Sequence, residues 1–115
     1  MREDAFFRIS NEVRYVALYL DGQLTLHERP ALANSSTPES DKYEELIVNP
    51  TLLTLVQQRG NIDCGGVKFV AIRYGNFWQI VWPVEHGHVS VGLEPTGDPL
   101  EHAKAIQRVI VEAEL

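Results

Sequence analysis

"GGVKFVAIRYGNFWQIVWPVEHGHVSVGL", residues 65–93, carries the strongest strand signal in the chain and decides its class. β-Branched and aromatic residues dominate it, and two turn-like interruptions divide it into three runs. Gly75-Asn76 is a permissible two-residue turn. It sets Tyr74 against Phe77, Arg73 against Trp78, Ala71 against Ile80 and Phe69 against Trp82. One face then holds Val67, Phe69, Ala71, Trp78, Ile80, Trp82 and Val84, with Arg73 at its tip, placed for a cation–π contact with Trp78. The other face, with Lys68, Val70, Ile72, Tyr74, Phe77, Gln79 and Val81, is mixed. Both are apolar enough to be covered by a helix or a partner.

The second turn is expected at His86-Gly87, which sets Glu85 against His88, Val84 against Val89, Trp82 against Val91 and Ile80 against Leu93. Val89, Val91 and Leu93 then extend the tryptophan face. A slip of one residue would send all three to the opposite side. His86-x-His88 beside Glu85 has the residue types of a metal site. Zinc, however, needs at least three converging ligands. His86 and His88 straddle the turn, and His27 and His102 have no ligand spacing to them. The expectation is a structural turn with a surface Glu85–His88 pair and no metal.

Working outward, "RYVALYLDGQLTLHER" (14–29) reads as a hairpin about Asp21-Gly22. Its first strand is apolar on both sides, as a central strand is, and its second alternates, as one nearer an edge does. Residues 30–43, opening with the Ser- and Pro-rich "PALANSSTPESD", are expected to form a flexible loop. "YEELIV" (43–48) fits strand or helix. Residues 49–60, "NPTLLTLVQQRG", read as a helix with Asn49 as cap, Pro50 in its first turn, Gly60 at its end and Leu52, Leu53, Leu55 and Val56 as its apolar side. In "GDPLEHAKAIQRVIVEAEL" (97–115) Asp98 caps a second helix, with Glu101 completing a capping box. Leu100, Ala103, Ile106, Ile110 and Ala113 form its stripe. The whole predicts an α+β fold: a hairpin, a helix, a three-stranded meander and a C-terminal helix on one five-stranded antiparallel sheet.

With 115 residues there is room for one domain, spanning 1–115, and a hydrophobic content of 44% with 23% charged residues is that of a folded globular chain. The net charge of −6 and the lack of a Lys/Arg cluster exclude nucleic acid as the main partner. No apolar run approaches the length that spans a bilayer, and "MREDAFFRIS" lacks the apolar core of a signal peptide, so a cytoplasmic protein is expected. Cys64 is the one cysteine. It stands beside Gly65-Gly66 without a nearby histidine and reads as an inert thiol. No G-x-S-x-G, Walker or G-x-G-x-x-G sequence occurs. Glu44-Glu45, adjacent on any helix, read as a solvated surface. No catalytic residue and no cofactor are expected.

The hairpin "YVALYLDGQLTLHER", the meander "VKFVAIRYGNFWQIVWPVEHGHVSVGLEP" and the helix "DPLEHAKAIQRVIVEAEL" together resemble the roadblock/dynein-light-chain family, over most of residues 13–113. Two features depart from that family's pattern. "MREDAFFRISNEV" is short for its first helix, and the middle segment carries a Ser/Pro loop and a shorter helix. The resemblance implies a non-catalytic scaffold that pairs with itself and is linked to a small Ras-like GTPase or a multiprotein complex. Candidate interface residues are Leu52, Leu55 and Val56 on the second helix and Phe77, Trp78 and Trp82 on the meander. The alternative is a small ligand-sensing domain of the profilin or PAS kind, with the aromatics lining a pocket and His86 and His88 at its rim.

Overall fold

The computed structural model describes residues 2–115. Strands β1 (Val13–Leu20), β2 (Gln23–Glu28), β3 (Val70–Arg73), β4 (Trp78–Val84) and β5 (Gly87–Leu93) form one sheet in the order β2-β1-β5-β4-β3, with every pairing antiparallel. β1 and β5 lie far apart in sequence, and their pairing joins the first hairpin to the meander. α1 (Glu3–Phe7) precedes β1; α2 (Pro38–Tyr43), a π-helical turn (Glu44–Val48) and α3 (Asn49–Asp63) stand between β2 and β3; and α4 (Pro99–Glu112) follows β5. The class is α+β, as the residue pattern requires.

Alternation along the strands sorts side chains between two faces. Val16, Leu18, Ile80, Trp82, Val89, Val91 and Leu93 join Phe6, Ala103 and Ile106 in a buried core on the side of α1 and α4. Each fully buried aliphatic side chain there contributes about 1.5–3 kcal/mol of transfer free energy. α4 starts where expected: the Asp98 side chain accepts from Leu100 N at 2.9 Å and Glu101 N at 3.4 Å. Its stripe is turned slightly from the expected one. Leu100 is 69% exposed, and His102 takes the inner place beside Ala103 and Ile106.

Both hairpin registers about Asp21-Gly22 and Gly75-Asn76 are as read from the sequence, with Tyr19 opposite Leu24 and Arg73 opposite Trp78. The β4–β5 register differs by two residues. Val84 faces Gly87, Trp82 faces Val89 and Ile80 faces Val91, so Glu85-His86 is the turn. A shift of two keeps every side chain on its expected face. Gly87 is the reason the strand can begin so early. A Cβ there would stand 1.8 Å from the Tyr19 carbonyl oxygen of β1, so no other residue fits at this crossing.

The segment between β2 and β3 differs most from the sequence reading. Residues 38–43, expected as part of a loop, form α2. The Thr37 hydroxyl accepts from Ser40 N at its start, and Pro38 occupies the first turn. The helix then continues without a break to Asp63, so Asn49 is interior rather than a cap and Gly60 does not end it. Pro50 brings no N–H and crowds the preceding turn, and the π-helical turn lies directly ahead of it, with Asn49 N–H donating to the Glu44 carbonyl.

Candidate functional site

The side of the sheet under the long helix is a hydrogen-bonded layer rather than an apolar core. Tyr15 on β1, Gln79 on β4, and His88 and Ser90 on β5 alternate on to this face. The π-helical turn lowers Glu45 on to the middle of them. Glu45 is fully buried: its Oε2 accepts from the Tyr15 hydroxyl at 2.8 Å, and its Oε1 lies 2.8 Å from His88 Nε2. Asn49, one turn later, donates its Nδ2 to Oε1 at 2.9 Å, and Gln79 Nε2 stands 3.5 Å from Oε2. Gln79 Nε2 and Asn49 Nδ2 both reach Ser90 Oγ, the latter at 3.4 Å. Burial first, and then the Glu45 carboxylate, drive the Tyr15 hydroxyl far above its ordinary range, so it stays a donor.

Serine, histidine and glutamate share this layer, which are the residue types of a hydrolase. The geometry is different. Ser90 is bonded to Gln79 and Asn49 while His88 is bonded to Glu45, and none of the three side chains reaches solvent. The arrangement is a clamp that holds the helical segment to three strands.

Beside it, towards the Tyr74–Phe77 turn, lies a cavity of about 400 Å³. Its walls include Tyr15, Tyr43, Tyr74, Phe77 and Val48, with the carboxylates of Glu28, Asp41 and Glu44. The Tyr74 hydroxyl donates to Glu44 at 2.9 Å, and burial with that bond pushes its pKa up to about 12. Burial also raises Glu44 and Asp41 above the usual carboxylate range, against the hydrogen bonds they accept from Tyr74 and Ser36. Arg14, only 4% exposed, points to the same space. Its guanidinium donates to the Ala33 carbonyl at 3.0 Å, lies 3.4 Å from Glu94 and stands 5.1 Å from the Phe77 ring centre.

The residues singled out from the sequence are divided between surfaces. Leu52 and Val56 are half-buried on α3 and Leu55 is 59% exposed. Phe77 lines the cavity on the α3 side. Trp78 and Trp82 face the α4 side. Trp78 lies under Arg73, 5.6 Å away, and Trp82 is 6% exposed and packed on Phe69, so Trp82 belongs to the core and not to a contact surface. His86 is exposed at its turn, 3.3 Å from Asp21. The expected Glu85–His88 surface pair is replaced by the buried Glu45–His88 pair, and Glu45 is anything but solvated. Among the described residues no three His, Cys, Asp or Glu side chains are grouped to hold a metal ion. The layer's own residues were missed. Their faint signal is polar alternation, His88-x-Ser90 on an otherwise apolar strand, with Glu45 and Asn49 one turn apart.

No family model and no curated protein matches the sequence. Solved structures do match the shape. A roadblock/LC7 domain from Streptomyces avermitilis superposes with a TM-score of 0.73 over 96% of this chain and 90% of that one, at 14% identity. This is the roadblock fold. MglB in a tetrameric arrangement gives 0.64, at 15% identity over 97% of this chain and 87% of that one. MglC from Myxococcus xanthus gives 0.58 at 13% identity with both chains fully covered. At identities of 13–15% these superpositions speak for the fold alone. No described helix is long and apolar enough to cross a membrane.

Proposed function

We propose that this roadblock-fold chain is a non-catalytic regulator that acts in the cytoplasm as a homodimer, in a complex linked to a small Ras-like GTPase. The observation that carries the reading is a row of large apolar side chains on the outer side of the helical run 38–63. Tyr43 is 62% exposed, Ile47 52%, Leu55 59% and Ile62 75%, with Leu46 beside them at 43%. Tyr43 and Ile47 are four residues apart and Leu55 and Ile62 seven, so each pair shares a side of its own helical stretch. A row of this kind left in water favours self-association. The tetrameric arrangement of MglB supports the same use of this fold. Leu55 and, at its flank, Leu52 and Val56 remain the proposed contacts. Of the meander residues, Phe77 is on the same side of the sheet.

Light scattering over a concentration series reads the assembly directly. A dimer that becomes a folded monomer in Ile47→Asp/Leu55→Asp supports the proposal. A monomeric wild-type chain at tens of micromolar refutes the dimer. The GTPase link is tested by titrating the chain with a Ras-like GTPase encoded in the same genome. No binding in either nucleotide state refutes that part.

A further inference from the structure

The cavity beside Glu45 has a chemistry that a dimer face does not explain. Its volume, about 400 Å³, is that of a small-molecule site. Aromatic and apolar walls, from Tyr74, Phe77 and Val48, stand next to three carboxylates, and among the described residues a single cation faces the same space. That cation, Arg14, is held by the Ala33 and Asn34 carbonyls, by Glu94 and by the ring of Phe77. It is therefore not free to receive an anion. Asp41 and Glu44 each accept a hydroxyl hydrogen bond, from Ser36 and Tyr74, and neither has a cationic partner among the described residues. Burial already acts against both charges, buried Glu45 adds to both, and Asp41 adds to Glu44. The same carboxylates do not converge as metal ligands do.

We propose that this cavity binds a small organic cation, an ammonium or guanidinium group on a short apolar stem, with the charge facing Asp41 and Glu44 and the stem on Tyr74 and Phe77. Aromatic faces attract such cations, and desolvation strengthens both that attraction and the ion pair. The cavity is lined by one chain's own residues, with Tyr43 shared between its wall and the exposed apolar row.

The test is a titration of the full chain, followed by backbone amide chemical shifts, with choline and with its neutral isostere 3,3-dimethylbutanol. n-Butylammonium and butyrate form a second pair. Saturable shifts centred on Asp41, Glu44, Tyr74 and Phe77 with the two cations, and not with the alcohol or the acid, are expected. Asp41→Asn and Glu44→Gln should each weaken choline binding by about tenfold or more. Capped lysine and arginine amides separate the sources. Tighter binding than the free amines assigns the cation to a partner protein's side chain, and weaker binding to a free amine, both within the proposal. Equal binding of choline and the alcohol, preference for butyrate, or no response to any cation overturns it. Should a variant fail to fold, the wild-type isostere comparison still decides.

Discussion

Replacing Glu45 by leucine tests whether the polar layer holds the helical segment to the sheet. The carboxylate is fully buried and is the acceptor for Tyr15 at 2.8 Å, His88 at 2.8 Å and Asn49 at 2.9 Å. A buried donor without an acceptor costs about 1–3 kcal/mol, so three orphaned donors cost about 3–9 kcal/mol. That is on the order of the whole stability of a domain this size, about 5–15 kcal/mol. Tyr15→Phe, which leaves the carboxylate two close partners, should cost only about 1–2 kcal/mol. Removing Tyr15 and His88 as donors too, in Tyr15→Phe/Glu45→Leu/His88→Leu, leaves Asn49 as the one donor of the three without its acceptor and should recover part of the loss, because an apolar set can replace a buried ionic one. Urea unfolding followed by tryptophan fluorescence and circular dichroism gives each value, provided the slope with denaturant is unchanged. Wild-type stability in Glu45→Leu, or a triple variant no more stable than the single, would refute the reasoning.

Gly87→Ala should cost about 3 kcal/mol or more, since its Cβ would meet the Tyr19 carbonyl at 1.8 Å. Gly75→Ala, with nothing within 4 Å, should stay within about 0.5 kcal/mol of the wild type in the same urea assay. Trp82→Ala empties a core site beside Phe69 and should cost about 3–5 kcal/mol, and an unchanged unfolding midpoint would return Trp82 to the surface. Asp41 and Glu44 give a pH dependence of fixed sign. Their carboxyl pKa values are raised in the folded chain, so it holds protons that the unfolded chain has released. The stability gained this way is full below the ordinary values, 3.8 and 4.5, and is lost as pH rises through the raised ones. Calorimetry of Asp41→Asn/Glu44→Gln should therefore show the greatest advantage over wild type at neutrality, shrinking as the pH falls towards 4.5. An advantage that grows on acidification contradicts this.

Local chemistry by itself determined most of the sheet. Asp21-Gly22 and Gly75-Asn76 set two registers through turn geometry, and alternation in "FWQIVWPV" and "HVSVGL" sorts the core face without reference to any tertiary contact. The Asp98-Pro99 start of α4 was equally local. The third turn was not. Glu85-His86 and His86-Gly87 place the valines on the same face, and only the passage of Gly87 against Tyr19 of β1, an approach between distant strands, selects the first. Helix 38–49 also needed the fold. Its Ser, Pro and Glu residues have no apolar periodicity, because the side chain it presents to the sheet is a carboxylate. Glu45 lies 43 positions from His88 and 30 from Tyr15, and no sequence window contains the three. Tertiary structure alone turned a glutamate and a histidine expected at the surface into a buried pair, and set beside them the cavity whose charges lie on three separate segments of the sequence. The physical reason is range. Turns and alternation act through neighbours in the chain, whereas burial of a charge depends on what the whole fold brings to it.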